Sequence, residues 1–403
     1  MLDRRTLFPA LTGLGAAVGA TAGALIGGRK AEAAPPSFKG DLDPRGTVGR
    51  LERLPNLDLE SQQDFLTGFR TFTGQGFRRA SAQRMAKLFE ARGLDPHGDP
   101  PMETILEIAE NDPVLGMHCR TWVSLQQMTW GTIQSHLYQD ADKYLAELEA
   151  ADSAGPGTLE LNPDMVLPDH VKHEIHIMPG GYVGDPLGGY VYHYGNNNFY
   201  GGRNDQDEVQ VDFASRVPVP TSPQPGGRPL RILEVGCTTG QYSIALKERF
   251  PDAEVWGIDA GAPMLRYAHM RAVDLGVDVN FAQRLAEDTK FEDGYFDIVT
   301  SYILHHEMPA EISKQTVAET FRVLRPGGVF FPIDFYTGEN KPTPSANQKF
   351  RHWWDHRWNN EVWWDEYDDL DLFGVMETAG FDTTEDGPAA WIGRKNLMGL
   401  KPA

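Results

Sequence analysis

A glycine-rich turn after an apolar stretch is the sequence feature with the most specific chemistry. Residues 232–240 read Ile-Leu-Glu-Val-Gly-Cys-Thr-Thr-Gly, so an apolar strand ends in a turn containing Glu234, Gly236, Cys237 and Gly240. The glycines let the backbone turn tightly and approach a ligand without a Cβ in the way. The N-terminus of the helix that follows offers free N–H groups to a carboxylate. Because the Walker and dinucleotide glycine patterns are both absent, the turn suits a small zwitterion better than a polyphosphate.

An acidic residue closes the next apolar segment. Asp259 follows Trp256-Gly257-Ile258, nineteen positions after Gly240. A carboxylate at the end of a second strand can accept hydrogen bonds from both hydroxyls of a ribose. The same carboxylate could instead cap the following helix, which has Pro263 in its first turn. Since the glycine-rich turn lies upstream, we interpret Asp259 as a ribose ligand.

The segments that must position these residues alternate between strand and helix patterns. Beyond Pro229, short apolar runs predict strands and amphipathic runs between them predict helices. The predicted strands cover 231–235, 254–259, 278–282, 296–301 and 328–335, and the predicted helices cover 241–250, 263–275 and 311–324. This alternation is typical of an α/β fold with a doubly wound, mostly parallel, Rossmann-like sheet.

In their order along the chain, these motifs resemble those of the class I S-adenosylmethionine-dependent methyltransferases, in particular the branch that acts on small molecules. The similarity covers Glu234–Gly240, Asp259 and the later stretches 285–297, 303–307 and 322–328. It implies a methyltransferase domain at 226–403, S-adenosylmethionine as the cofactor, and methyl transfer to a small organic acceptor. The alternative is an exported, non-catalytic binding or accessory protein that retains this fold.

The same resemblance implies roles for individual residues. The residues that it assigns to cofactor binding are Glu234, Gly236, Cys237, Gly240, Asp259, Glu287, Asp288 and Ser301. The glycine turn would line the methionine part of the cofactor, and Asp259 would hold the ribose. Asp288, next to Glu287, would bind the adenine amino group. Ser301 and Tyr302, at the end of the fourth strand, would face the reacting end.

Two adjacent histidines follow that fourth strand. Methyl transfer requires in-line approach of a nucleophile to a sulfonium, so positioning supplies much of the catalysis. A base is needed only if the acceptor arrives protonated. Because imidazole titrates near neutral pH, His305 or His306 is the candidate base. Alternatively, the pair shapes the loop and takes no part in the chemistry.

Three other groups each have a functional and a structural interpretation. His173 and His176 stand three apart, but a predicted strand would point them to opposite faces, so no metal site is expected. The tyrosines of 152–225 either line a substrate pocket or belong to a rigid Gly/aromatic β-structure; they are Tyr182, Tyr190, Tyr192, Tyr194 and Tyr200. The Trp-rich insertion 340–366 is either an aromatic lid over a substrate or a helical pair packed on the N-terminal domain.

The N-terminal part of the chain predicts a targeting segment and a helical domain. Residues 1–33 resemble a twin-arginine export signal, with Arg4-Arg5, an uncharged stretch and an Ala-Glu-Ala step. This predicts a periplasmic or exported protein that uses the twin-arginine export machinery. The alternatives are an uncleaved membrane anchor and a cytoplasmic protein. A Pro/Gly-rich linker at 34–57 precedes a helical and Gly/Tyr-rich substrate or lid domain at 58–225.

Charge and cysteine content narrow the expected partners to a small-molecule substrate. The chain carries 57 acidic and 37 basic residues, a net charge of -20, which disfavours DNA or RNA as a substrate. Membrane contact is expected only through an uncleaved signal. Cys119 and Cys237 lack a ligand spacing, so neither a cysteine zinc site nor a disulfide scaffold is expected, while one disulfide between them stays open. The sequence does not determine the oligomeric state.

Overall fold

The structure of the protein, a computed structural model, describes residues 47–48, 50–52, 54, 56–335, 337, 343–391 and 394–403. The predicted export signal at 1–33 lies outside these residues, as does most of the predicted linker at 34–57. In the described part of the chain, no helix combines the length and the apolar character needed to cross a bilayer.

An eight-stranded sheet forms the centre of the C-terminal half. Two short strands, β1 (Thr47–Val48) and β2 (Leu51–Glu52), pair with each other outside it. The strands of the large sheet are β3 (Thr158–Glu160), β4 (Arg231–Val235), β5 (Glu254–Asp259), β6 (Asn280–Gln283), β7 (Phe296–Tyr302), β8 (Leu324–Ile333), β9 (Asp382–Trp391) and β10 (Arg394–Leu400). Their order is β3-β6-β5-β4-β7-β8-β10-β9, with β3 to β8 parallel and β10 antiparallel to both neighbours. The predicted doubly wound, mostly parallel sheet is confirmed.

Helices cover both faces of this sheet and build the N-terminal part. They are α1 (Leu57–Phe72), α2 (Arg78–Glu90), α3 (Met102–Ala109), α4 (Pro113–Leu137), α5 (Ala141–Ala151), α6 (Gly188–Asn197), α7 (Glu208–Arg216), α8 (Gln241–Arg249), α9 (Ala262–Leu275), α10 (Ala310–Val323), α11 (Ala346–Trp358), α12 (Trp364–Asp368) and α13 (Leu372–Ala379). The central strands β4, β5 and β7 are buried between two apolar clusters, one on each face of the sheet. This two-sided burial explains why these strands appear in the sequence as nearly continuous apolar runs.

Residues 175–177 and 188–197 are helical where the sequence predicted strands, so that prediction is wrong. Ile175–Ile177 forms a single 3₁₀ turn, and the tyrosine-rich stretch forms α6. Gly189 lets α6 approach α9 closely, because a Cβ there would lie 2.2 Å from the Cβ of Tyr267. Since most residues of α6 are buried, the helix shows no amphipathic period that could have identified it.

The Trp-rich insertion folds as the two helices α11 and α12. Phe350 and Trp354 of α11 pack against Met85, Phe89 and other apolar residues of α2, α3 and α4. Helix α11 therefore packs on the N-terminal part, as the structural interpretation predicted, whereas Trp364 and Tyr367 of α12 pack against His306 in the C-terminal half. Trp364, the first residue of α12, also lines the main cavity, so the insertion contributes to that cavity as well.

Candidate cofactor and acceptor site

A cavity of about 430 Å³ opens at the carboxyl ends of β4, β5 and β7. Ligands of open parallel sheets bind at this edge, and the volume is that of a small-molecule site. The predicted residues that line it are Glu234, Gly236, Cys237, Asp259, Glu287, Tyr302 and His306. Gly240, Asp288, Ser301 and His305 do not line it. The cavity has two ends of different construction, which we name the cofactor end and the acceptor end.

The cofactor end is formed by the turn after β4. The backbone amides of Gly236 and Cys237 both donate to the carbonyl oxygen of Ile258 at 2.9 Å, which ties the turn to β5. Gly236 has a φ of +72°, and a Cβ there would lie 2.6 Å from a methyl group of Leu304. Gly240 is the N-cap of α8 and packs on Ala268 and Phe281, so it shapes the turn from the side away from the cavity. At both positions a side chain would collide with neighbouring atoms, which is the steric reason why the turn requires glycine.

Asp259 lies at the end of β5, inside the cofactor end. Its Oδ2 accepts from the backbone N–H of Thr238 at 2.9 Å, and its Oδ1 accepts from the N–H of Gly261 at 2.8 Å. Burial raises the pKa of this carboxyl to about 6. The bonds to the turn hold the carboxylate in place, and each oxygen keeps a lone pair for a ligand hydroxyl. This arrangement fits the ribose of a nucleoside.

Two further acidic residues line the cofactor end. Glu234 is buried and accepts from the hydroxyl of Ser243, and burial raises its pKa to about 8. The Glu287 carboxylate lies 3.7 Å from Nε2 of His170. Asp288, by contrast, is exposed and paired with Lys290. The structure therefore places Glu287, and not its neighbour, where an adenine amino group could be bound.

These residues fit S-adenosylmethionine. A ribose needs an acceptor for its hydroxyls, which Asp259 provides, and a sulfonium cation is favoured beside carboxylates. The hydroxyl of Ser301, buried in β7 behind the turn, has no hydrogen-bond partner among the described residues. Its predicted contact with the cofactor stays a prediction.

The acceptor end is formed around a buried histidine between two glutamates. Nδ1 of His176 lies 2.7 Å from Oε1 of Glu361, and its Nε2 lies 3.5 Å from Oε1 of Glu307. Burial opposes a charge on this imidazole, but the two carboxylates raise its pKa to about 10. The hydroxyl of Tyr182 also donates to Oε1 of Glu307, at 3.2 Å. Oε2 of Glu307 makes no hydrogen bond with any described residue, so it is free to bind a donor group of a ligand.

The two predicted catalytic histidines have different surroundings. Nδ1 of His306 lies 2.8 Å from Oδ1 of Asp334; burial opposes a charge, but this carboxylate raises the histidine's pKa to about 9. His306 therefore carries a proton at neutral pH and is suited to donate, not accept, one. His305 lies outside the cavity, with Nδ1 2.7 Å from the hydroxyl of Ser313, and burial lowers its pKa to about 4. That environment favours the structural interpretation of His305.

Aromatic side chains complete the walls of the acceptor end. The hydroxyls of Tyr200 and Tyr302 are 2.6 Å apart. The other aromatic residues lining the cavity are Trp130, Tyr182, Tyr192, Phe199, Tyr242, Phe335 and Trp364. Among the described residues that line the cavity, Arg284 is the only lysine or arginine, and it binds Glu160 and the carbonyl of Thr289. The described part of the chain contains no His/Cys/Asp/Glu cluster able to hold a metal ion.

Some of these residues were not recognised in the sequence. Glu361 was not predicted because nothing near it in the sequence indicates that it meets His176, 185 positions earlier. His173 and His176 were interpreted as structural, yet both line the cavity. The tyrosine-rich stretch was recognised as a candidate pocket wall, and Tyr182, Tyr192 and Tyr200 do line it. Cys119 and Cys237 are both buried and free, so no disulfide joins them.

Comparison with known proteins identifies part of the chain. Residues 232–328 match a family described as a methyltransferase domain. A demethylmenaquinone methyltransferase of Thermus thermophilus is 39% identical over 107 residues, which are 27% of this chain and 48% of that protein. A ubiquinone/menaquinone biosynthesis C-methyltransferase of Burkholderia mallei is 34% identical over 113 residues, 28% of this chain and 44% of that protein. The chain thus spans about half the length of these curated relatives.

Solved structures include similar chains. One is a SAM dependent methyltransferase from Aquifex aeolicus, with 20% sequence identity, a TM-score of 0.32, and coverage of 43% of this chain and 81% of that one. The match of residues 232–328 confirms the predicted type of domain. These residues are thus similar to a methyltransferase domain, as the sequence predicted.

Proposed function

We propose that the protein transfers a methyl group from S-adenosylmethionine to a small organic acceptor bound in the same cavity. One observation carries this proposal: the cofactor end, with the glycine turn and Asp259, and the acceptor end, with His176, belong to the same cavity. An enzyme that transfers a group needs both reactants in one enclosed space, because proximity supplies a large part of the rate.

At the cofactor end, the chain's contribution is binding and orientation. The bound cofactor supplies an electrophilic methyl group on a positively charged sulfur. Asp259 would accept from the ribose hydroxyls, Glu287 would bind the adenine amino group, and Gly236 gives the backbone room for close approach. The carboxylates of this end offset the positive charge of the ligand.

At the acceptor end, Glu307 is the residue best placed to hold the acceptor's reacting group. Its free Oε2 can accept a hydrogen bond from a hydroxyl or amine and can then take the proton that the nucleophile loses. His306, held by Asp334, would donate to an oxygen on the acceptor. The aromatic walls exclude water and stack against a planar substrate.

The cavity walls also limit the class of acceptor. Among the described residues that line the cavity, the one arginine is already bonded within the protein and no lysine is present, so neither residue type is free to bind a phosphate or carboxylate. Aromatic rings and a free carboxylate oxygen instead suit a planar ring that carries a hydrogen-bond donor. The names of the two curated relatives indicate quinone-type acceptors, which agree with this description. We propose a hydroxylated aromatic compound as the acceptor.

A ligand analysis followed by a turnover assay tests the function. Full-length protein is purified, and mass spectrometry identifies any small molecule that it retains. Calorimetry then measures the affinity for S-adenosylmethionine and S-adenosylhomocysteine, and hydroxylated aromatics are screened for S-adenosylhomocysteine formation. We expect binding of both compounds and turnover with at least one acceptor. Absence of binding to either compound would refute the proposal, and binding without turnover would support the non-catalytic alternative.

The predicted export signal forms a second part of the proposal. We propose that the folded protein leaves the cytoplasm through the twin-arginine route, with its cofactor already bound. Fractionation of expressing cells, with an Arg4→Lys/Arg5→Lys variant as control, tests this. We expect the protein in the periplasm and the variant in the cytoplasm. An identical distribution of the two proteins would contradict the export proposal and leave the methyltransferase proposal untouched.

A further inference from the structure

Four phenylalanines form a surface on the outer side of the first long helix. They are Phe65, Phe69, Phe72 and Phe77, which we call the phenylalanine surface. Phe65 is 67% exposed and Phe72 is 54% exposed. The ring centroids of Phe69 and Phe72 are 6.3 Å apart, and those of Phe72 and Phe77 are 5.2 Å apart. Large apolar side chains that cluster and face solvent usually mark a contact surface.

Helix geometry explains why these rings project outward. α1 continues through a π-helical turn at Thr73–Phe77 into α2 without leaving helical backbone angles. The spacing of Phe65, Phe69 and Phe72 puts them on one side, while Leu66 and Arg70 on the adjacent side are buried. A Cβ placed on Gly68 or Gly74 would meet no atom within 4 Å, so the surface between the rings is open.

The chain that follows this surface is locally basic, whereas Asp58, Glu60 and Asp64 precede it on α1. Residues 65–92 contain six basic residues and one acidic residue, in a chain with a net charge of -20. Arg70 is buried, and Arg84 pairs with Asp112. The four others are exposed and form no ion pair with a described residue; they are Arg78, Arg79, Lys87 and Arg92. The exposed rings Phe65 and Phe72 lie on α1, and the free cations follow on α2 and in the turn after it.

We propose that this helix docks the protein on an anionic lipid bilayer. Phe65 and Phe72 would insert among the lipid headgroups, and the four free cations would lie against the lipid phosphates. Exposed aromatic rings followed by free cations match the two chemistries of an anionic bilayer, whose interior is apolar and whose headgroups are negative. Because the remaining surface is acidic, an anionic bilayer repels it and selects this orientation.

The docking surface is connected to the proposed active site. The guanidinium of Arg70 stacks on the ring of Phe199 at 3.8 Å, and Phe199 lines the cavity. The bilayer would therefore lie on the outer side of a helix whose inner side supports the cavity wall. The sequence predicted membrane contact only through the N-terminal segment, so this surface is a second and separate contact. Binding of a bilayer at the phenylalanine surface requires neither the cofactor nor the acceptor.

Vesicle co-sedimentation of the full-length chain tests the proposal. The vesicles contain phosphatidylcholine alone or phosphatidylcholine with phosphatidylglycerol. We expect binding that depends on phosphatidylglycerol and falls about tenfold in Phe65→Ser/Phe72→Ser, because two rings lose their apolar contact. Arg78→Gln/Arg79→Gln should reduce binding severalfold and flatten its salt dependence. The matched controls are Val166→Ser, at an 88% exposed position elsewhere, and Lys143→Gln/Lys314→Gln; both should bind as the unaltered protein does.

A fluorescent label on Phe72→Cys gives a second readout. The two natural cysteines are buried, so the new thiol is labelled selectively. We expect an environment-sensitive label there to shift to the blue with anionic vesicles, and the same label on Val166→Cys to stay unchanged. Equal binding of all variants to the vesicles would mean that another segment of the protein binds the membrane. That result, failure of the unaltered protein to bind, or equal binding to neutral vesicles would each overturn the proposal.

Discussion

The two ends of the cavity are built in opposite ways. At the cofactor end, one continuous stretch from β4 to the start of α9 supplies the turn, Asp259 and the amides that hold it. At the acceptor end, His176, Glu307 and Glu361 come from three distant parts of the chain and are held by buried ion pairs. The first end is positioned by backbone hydrogen bonds, and the second by charged side chains.

This difference predicts how the two ends respond to change. Backbone hydrogen bonds persist when a side chain is replaced, so the cofactor end should tolerate substitutions except at the ligand-binding groups themselves. A buried ion pair fails when one partner is lost, because the other charge remains without compensation. Changes at the acceptor end should therefore affect stability and turnover, while affinity for the cofactor stays the same.

The largest expected effect is on stability, from loss of Asp334. The Asp334→Ala substitution leaves His306 without its partner and frees the backbone amides of Leu304 and His305. We expect the free energy of unfolding to fall by about 3 kcal/mol in urea denaturation, the usual cost of breaking a buried pair. Asp288→Ala, which removes an exposed carboxylate, is the control and should change stability little. Equal losses in the two variants would contradict the role given to the buried pair.

The next effect is on turnover, from loss of the Glu307 charge. Glu307→Gln keeps the shape of the side chain but removes its capacity to take a proton. We expect kcat to fall about a hundredfold, within the usual range for a general base. Affinity for S-adenosylmethionine, measured by calorimetry, should not change. Glu311→Gln on the exposed start of α10 is the control. A parallel loss of cofactor affinity in Glu307→Gln would remove the distinction between the two ends.

Loss of Asp259 should have the converse effect. Asp259→Ala removes the acceptor for the ribose hydroxyls, so the Kd for S-adenosylmethionine should rise more than about tenfold. Thermal unfolding without cofactor should shift less than in Asp334→Ala, because the turn keeps its backbone bonds to Ile258. Asp274→Ala, at an exposed position on α9, is the control. Unchanged affinity in a calorimetric titration would show that the ribose is bound elsewhere.

The pH dependence of stability should follow the acceptor end. The folded-state pKa values of His176 and His306 are raised to about 10 and about 9, above the ordinary histidine value. The native state then holds more protons than the unfolded state, so stability falls as pH rises from about 7 to about 10. Urea denaturation across this range should show the decline. His306→Gln/Asp334→Asn should show a shallower slope, and an unchanged slope would argue against the charged pair.

The smallest effect should separate two adjacent carboxylates at the cofactor end. Glu287 lines the cavity, whereas Asp288 is exposed and bound to Lys290. We expect Glu287→Ala to weaken S-adenosylmethionine binding severalfold, comparable to one hydrogen bond, and Asp288→Ala to leave it unchanged. The reverse order would restore the assignment made from the sequence, in which Asp288 binds the adenine.

Much of the fold and of the cofactor end could be predicted because both depend on local patterns. Apolar runs gave the parallel strands, and the glycine turn with Asp259 lies within one strand–helix–strand unit, whose geometry places both at the same edge. Within that unit, Glu234, Gly236, Cys237 and Asp259 all reach the cavity. Gly240 and Ser301 are buried but do not line the cavity, a distinction that no periodic pattern in the sequence records.

The sequence by itself determined the sheet, the turn and the carboxylate that closes the second strand, because strand and turn preferences act over a few neighbouring residues. Only the tertiary structure decided that α6 is a helix, that His176 lies between Glu307 and Glu361, and that His306 is held protonated by Asp334. Those features arise from contacts between residues far apart in the chain. Their energies depend on burial and on partners that come together only when the chain has folded.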